Sequence, residues 1–104
     1  MADQASPTDL EQEIMNRAKQ AEFILKHPIV AGAIEAMKNN FSRKWVNSEP
    51  GDVETRELAY RHLHAVHTFE RLLTRFAEDG KLVEAEIETR RYQGQKATEG
   101  DEDL

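Results

Sequence analysis

Residues 47–52 have the sequence Asn-Ser-Glu-Pro-Gly-Asp and form the clearest interruption in the chain. Pro50 and Gly51 both interrupt regular helices, and the other four residues are polar. Long amphipathic segments lie on both sides of this loop. The pattern predicts an antiparallel helical hairpin, with one helix at about 28–47 and the next at about 52–79.

The two segments of the hairpin carry apolar residues at the three- and four-residue spacing of one helix face. In the first segment these residues are Val30, Ala33, Ile34, Met37, Phe41 and Trp45. In the second they are Ala59, Leu63, Val66, Phe69, Leu73 and Phe76, and the stripe is widened by Leu58 and Leu72. No segment alternates like a strand, so the predicted fold class is all-α.

A third amphipathic segment precedes the hairpin. Ser6-Pro7-Thr8-Asp9 combines a hydroxyl cap, a proline and an acid, which is typical of a helix start. His27-Pro28 interrupts the pattern, because the residue before a proline is pushed away from helical geometry. We therefore expect an N-terminal helix at about 8–26 that packs on the hairpin, with Pro28 in the first turn of the next helix.

The two ends of the chain are polar. Glu78-Asp79-Gly80 is typical of a helix C-terminus, because glycine adopts the left-handed conformation that closes many helices. This pattern predicts a helical domain over 8–80, a flexible N-terminus over 1–7 and a marginal helix over 81–92. The last segment, 93–104, has little to bury and is predicted to be a disordered acidic tail.

Composition excludes several classes of protein. The chain has no cysteine, so disulfides and thiolate sites are absent from it. Acids stand where a secretory signal would carry bases, and no apolar run approaches the roughly 20 residues that span a bilayer. The net charge is −6, and its acids are concentrated in 1–14 and 77–104, whereas the middle is mildly basic. We expect no membrane association.

Three of the four histidines fall within 62–67. On a helix His64 and His67 share a face that Glu70 joins, and two imidazoles one turn apart can chelate a divalent metal. However, the full ligand set of a known metal motif is missing, and Arg71 opposes cation binding. We predict no metal site and no cofactor, with this trio as the weak candidate, and a pH-sensitive interface is a second minor reading of it.

Catalysis has little support in the sequence. No serine or threonine sits in a nucleophile elbow, and the five glycines form no loop that could cradle phosphate. Carboxylates such as Glu84, Glu86 and Glu88 lie in a segment expected to be too weakly ordered to hold a shifted pKa. The chain is predicted not to be an enzyme.

The stripes contain few large side chains, so a lone helical domain of this size is expected to be marginally stable. Four apolar residues lie off or at the edge of the main stripes and are candidates for a partner surface: Ile29, Trp45, Tyr60 and Leu72. These features favour a homo-oligomer, and a closed three-helix monomer is the alternative.

Nucleic-acid binding is a further hypothesis. The candidate contacts are basic residues of the second and third helices: Lys38, Arg43, Lys44, Arg56, Arg61, Arg71 and Arg75. Against it, Phe41 and Trp45 belong to the apolar stripe, and the whole-chain isoelectric point is near 5.2. Protein partners are therefore favoured over nucleic acid.

Several short motifs are similar to one group of known proteins. They occur between about residues 26 and 85 and comprise His27-Pro28-Ile29-Val30, Ala33-Ile34-Glu35-Ala36-Met37, Trp45-Val46-Asn47-Ser48, Glu49-Pro50-Gly51-Asp52, Arg56-Glu57-Leu58 and Phe76-Ala77-Glu78-Asp79-Gly80-Lys81-Leu82. In this order they resemble small helical-hairpin proteins of tailed bacteriophages, mostly uncharacterised and often encoded among virion assembly genes. The resemblance implies a phage origin and a non-enzymatic role.

Three function hypotheses follow. The first is an oligomeric helical module of virion structure or assembly, which binds itself and a phage or host protein. The second is a small inhibitor of a host polymerase or defence protein, which uses its acidic ends as a nucleic-acid mimic. The third is a DNA-binding packaging or regulatory subunit. The expected location is the host cytoplasm or the virion.

Overall fold

The protein consists of three helices, and the fold class is all-α as predicted. The computed structural model describes the backbone of residues 6–102 and the side chains of residues 6–94. Helix α1 spans Asp9–Lys26, α2 spans Pro28–Val46 and α3 spans Val53–Glu102. Within residues 6–102 the chain contains no strand. The predicted bounds of the first two helices agree with these to within one residue.

Local capping explains where α1 begins. The Thr8 hydroxyl accepts a hydrogen bond from the Glu11 N–H (3.1 Å), and the Glu11 carboxylate accepts one from the Thr8 N–H (3.0 Å). This reciprocal pair is a capping box, which satisfies two backbone donors that a helix N-terminus leaves without partners.

One residue separates α1 from α2. His27 has extended backbone, and its Nδ1 accepts a hydrogen bond from the Ile29 N–H (3.2 Å), so its ring caps α2. Pro28 then occupies the first helical position, where its missing N–H leaves no hydrogen bond unmade. The chain therefore bends at this point and resumes a helix at once.

The loop between α2 and α3 is held by two side chains. The Asp52 carboxylate accepts hydrogen bonds from the Thr55 N–H (3.1 Å) and hydroxyl (2.6 Å), and these bonds lower the pKa of Asp52. The Arg56 guanidinium reaches back to donate to the carbonyls of Glu49 (3.0 Å) and Pro50 (2.8 Å). Asp52 thus caps α3, and Arg56 fixes the loop to its first turns.

Helices α1 and α2 run antiparallel to α3, one after the other along its length. In α1, Glu11 pairs with Arg90 and Arg17 lies over the ring of Phe76. In α2, Lys38 pairs with Glu70 and Phe41 contacts His62, so partner numbers in α3 fall as numbers in α1 and α2 rise. The molecule is a rod of 79 × 25 × 20 Å.

The buried residues of α3 recur every seven positions. They are Ala59, Val66, Leu73, Gly80 and Ile87, and further burial comes from Ala77 and Val83. A seven-residue repeat keeps one seam facing the partner helix when two helices wind around each other with a left-handed twist. α3 is therefore one arm of a long hairpin whose other arm is interrupted at His27-Pro28.

The predicted end of the third helix at Gly80 is wrong, because α3 continues through it. Gly80 packs so closely on α1 that a methyl group there would overlap the methyl of Ala18. The glycine serves close packing of two helices, and no glycine in the described part of the chain has a positive φ.

Residues 81–92, predicted to be a marginal helix, form part of α3. Val83 and Ile87 are buried in this segment, and Arg90 pairs with Glu11, so packing against α1 stabilises it. α1 accordingly packs on the far part of α3, from about Phe76 onward, and so continues past the end of the predicted 28–79 hairpin. The predicted disordered tail over 93–104 is not confirmed, since α3 runs to Glu102. Residues 103–104 lie outside the described residues, and so do residues 1–5 of the predicted flexible N-terminus.

The Glu11–Arg90 pair predicts a pH dependence of stability. Two bonds of 2.8 and 2.9 Å to the guanidinium lower the pKa of Glu11 from 4.5 to about 2. A carboxyl group with a lowered pKa in the folded state stabilises the fold above its unfolded pKa, and this contribution is lost as the pH falls from about 4.5 towards 2. We expect wild type to have a higher Tm than Glu11→Gln at neutral pH, and the difference to vanish over this window.

Glutamine preserves the acceptor that the capping box needs, so Glu11→Gln removes the ion pair alone. The exposed Glu13 on the same helix provides the matched control, and Glu13→Gln is expected to keep the Tm close to that of wild type. A Tm difference between wild type and Glu11→Gln that persists unchanged at pH 2 would contradict the assignment.

Candidate interaction surface

The protein leaves many large apolar side chains exposed. Its buried side chains are small or medium in size, and none of the described large side chains is fully buried. The exposed large ones are Leu10, Phe23, Ile29, Met37, Trp45, Val46, Val53, Leu58, Tyr60, Phe69, Leu72, Leu82 and Tyr92. Single exposed apolar residues are common on protein surfaces, so the informative question is which of these residues lie together.

Part of this set forms a continuous stripe on α3. Leu58, Ala65 and Leu72 are seven residues apart, and Phe69 and Phe76 are also seven apart, which places all five on one side of the helix. Leu58 is 51 % exposed, Phe69 49 % and Leu72 45 %, whereas Phe76 is half-buried. We call these five residues the apolar flank.

Helix α2 adds to the same side of the hairpin. Phe41 contacts His62 with 4.9 Å between ring centroids, and His62 lies one turn from Leu58 on the side of the flank. Met37, one turn before Phe41, is 40 % exposed. The Lys38–Glu70 and Phe41–His62 contacts put Met37 at about the level of Phe69 along the hairpin, so α2 extends the apolar flank on this side.

Helix α1 marks the end of this surface. The Arg17 guanidinium carbon lies 4.5 Å from the centroid of the Phe76 ring, which is a cation–π contact. Beyond Phe76, Gly80 and Val83 are buried, and Gly80 packs against Ala18. The side of α3 that is open between 58 and 76 is therefore covered by α1 further along.

The opposite side of the hairpin is polar and aromatic. Lys38 and Glu70 form an ion pair of 2.6 Å there. The Tyr60 ring stacks on His64 (6.2 Å between centroids) and meets Trp45 edge-on (6.5 Å). This side presents hydrogen-bonding groups and rings that already have partners within the chain.

The weak metal candidates are not assembled into a site. His64 stacks on Tyr60, Glu70 is paired with Lys38, and His67 lines a shallow groove with Leu63. Among the residues whose side chains are described, no group of three or more histidines and carboxylates is placed to hold a metal ion.

The four predicted partner-binding residues are all exposed, but they do not form one patch. Trp45 and Tyr60 meet on the polar side of the hairpin, and Leu72 belongs to the apolar flank. Ile29, at 75 % exposed, lies near the bend between α1 and α2. Of the four, Leu72 alone belongs to the extended apolar surface.

Two of the predicted nucleic-acid contacts have partners within the chain. Lys38 is paired with Glu70, and Arg56 is bound to the loop. Four of the others, Arg43, Lys44, Arg61 and Arg75, are exposed, and the exposed Arg71 lies 3.4 Å from the Thr68 hydroxyl. Arg61, Arg71 and Arg75 share one exposed face of α3, and Arg43 and Lys44 lie near the end of α2.

Comparison with protein-family models, curated proteins and solved structures finds no match to this chain. Within residues 6–102, none of the helices combines the length and the hydrophobicity that crossing a membrane requires.

Proposed function

We propose that this chain is a non-enzymatic phage protein that acts through protein–protein binding in virion structure or assembly, as an oligomeric helical module. The observation that carries the proposal is the apolar flank, which lies on a rod whose own core is small. Burying a large apolar side chain is worth about 1.5–3 kcal/mol. The flank therefore favours a protein surface as its partner.

The motifs between residues 26 and 85 support a role in virion structure or assembly, since they resemble proteins encoded among virion assembly genes. A long hairpin with one apolar side is suited to a structural role, because it offers an extended surface and little concave space for a substrate. The DNA-binding alternative is weakened by the internal partners of Lys38 and Arg56.

The proposal predicts that the chain is needed for particle formation. An amber codon in its gene should lower the yield of complete particles in a host without a suppressor, while phage DNA replication continues. A suppressor host should restore the yield. Normal particle numbers without the protein, together with its absence from purified particles, would contradict an assembly role.

A further inference from the structure

We infer that the apolar flank binds the flank of a second copy of this chain, with the two α3 helices antiparallel. This inference rests on the proposed function, since it names the oligomer and the contact that the proposal needs. In this arrangement α2 and α3 of each copy form the two layers of a four-helix bundle. The two-fold axis crosses the flank midway between Ala65 and Phe69.

The length of the free surface defines the contact. The flank runs from Leu58 to Phe76, a distance of about 27 Å at the α-helical rise. At Phe76 the side chain of Arg17 covers the same side of α3, and α1 occupies it from there on. A second copy of α3 can therefore occupy the open part and meet the end of α1.

Side-chain sizes along the flank favour the antiparallel orientation. With the axis between Ala65 and Phe69, the phenylalanine of each copy faces the alanine of the other, and Leu58 faces Phe76. A parallel pairing would place Phe69 on Phe69 and Ala65 on Ala65, which crowds one level and leaves a gap at the next. Packed interfaces alternate large and small side chains in this way.

Charge supports the same orientation. The described parts of the two acidic segments, residues 6–14 and 77–94, lie towards one end of the rod, where Glu11 meets Arg90. A parallel dimer would bring two such ends side by side, and like charges in proximity are destabilising. The antiparallel dimer holds them at opposite ends.

The large side chains of this surface expose about half of the area that each partner buries in a standard dimer contact, ~800 Å². Leu58, Phe69, Leu72 and Met37 are each about half exposed, which leaves on the order of 100 Å² of each to be covered. The rest of the contact would come from Ala65, Phe76 and the polar residues at its edge, since protein interfaces are only about 56–65% apolar.

The first test is the mass of the purified protein by light-scattering chromatography. Wild type should have twice the mass of one chain, and Leu72→Lys should have once that mass with the same helical circular dichroism. Leu82→Lys is the matched control, since Leu82 is also on α3 and 63 % exposed but lies off the flank. It should remain a dimer.

The second test measures the relative orientation of the two α3 helices by disulfide cross-linking. The chain contains no native cysteine, so only the introduced cysteines can form a disulfide. Single-cysteine variants Ala65→Cys and Phe69→Cys, mixed and oxidised, should form the mixed disulfide faster than either forms its own. Faster Ala65–Ala65 cross-linking would overturn the antiparallel arrangement. A monomeric wild type, or a Leu72→Lys variant that stays dimeric, would overturn the inferred contact.

Failure of this inference is distinguishable from failure of the proposed function. If the oligomer persists in Leu72→Lys, the inferred contact is wrong. The particle-yield experiment still decides the assembly role in that case. Conversely, the variants can behave as expected for the dimer while particles form normally without the protein. That result would support the contact and contradict the assembly role.

Discussion

Gly80→Ala is expected to destabilise the protein, although alanine is the better helix former. In an open helix interior the change from glycine to alanine gains about 0.5–1 kcal/mol. At Gly80 the new methyl would overlap the Ala18 methyl, and since both groups are attached directly to backbone, α1 must move away from α3. Overpacking of this kind costs about 1–3 kcal/mol, so we expect a net loss in the free energy of unfolding measured by urea denaturation.

Two further variants separate the overlap from helix propensity. Gly32 in α2 has open space where a methyl would be, so Gly32→Ala should be stabilising. Ala18→Gly combined with Gly80→Ala moves the methyl from one helix to the other, and it should be more stable than Gly80→Ala alone. A Gly80→Ala protein as stable as Gly32→Ala would show that the two helices are not in close contact.

Leu73→Ala is expected to have the other large effect. Leu73 is 8 % exposed and lies between Glu70, which pairs with α2, and Phe76, which contacts α1. Truncation of a buried leucine costs about 2–5 kcal/mol. At about 4–8 °C per kcal/mol for a domain of this size, even a loss of about 2 kcal/mol lowers the Tm by roughly 8–16 °C.

Leu82→Ala is the matched control for this truncation. Leu82 is on the same helix and 63 % exposed, so its loss should change the free energy of unfolding by about 0.5 kcal/mol or less. Thermal unfolding followed by circular dichroism at one protein concentration compares the two. Equal Tm losses for both variants would contradict the placement of Leu73 in the core of the hairpin.

Helix starts could be predicted from the sequence because their signals are local. Thr8 with Glu11, Pro28 and Asp52 each act on backbone groups within four residues, so short motifs locate them. The bend at His27-Pro28 is fixed in the same way.

The end of α3 was predicted wrongly because glycine has two uses that look alike in a sequence. Glu78-Asp79-Gly80 fits a helix C-terminus, but at Gly80 the absence of a Cβ allows α1 to approach. That contact joins residues 18 and 80, and a pattern within α3 contains no information about it. The same limit applies to residues 81–92, which are helical because Val83 and Ile87 pack against a helix more than fifty residues away in the chain.

The surface was predictable only in part. The sequence pattern identifies Leu72 as a partner residue, but it places Phe69 in the core stripe, whereas Phe69 is 49 % exposed in the structure. The core of α3 faces one helix over its first part and another over its second, so one stripe cannot describe both. The seven-residue spacing of Leu58, Ala65 and Leu72 was the available signal of a second stripe.

The rod shape separates the electrostatics of its two ends. The loop held by Arg56 and the Glu11–Arg90 pair are about 50 Å apart along α3, whereas the screening length in physiological salt is about 8 Å. A charge changed at one end is therefore not felt at the other through the solvent. The rigid helix therefore holds the two sites at a fixed separation at which their charges do not interact.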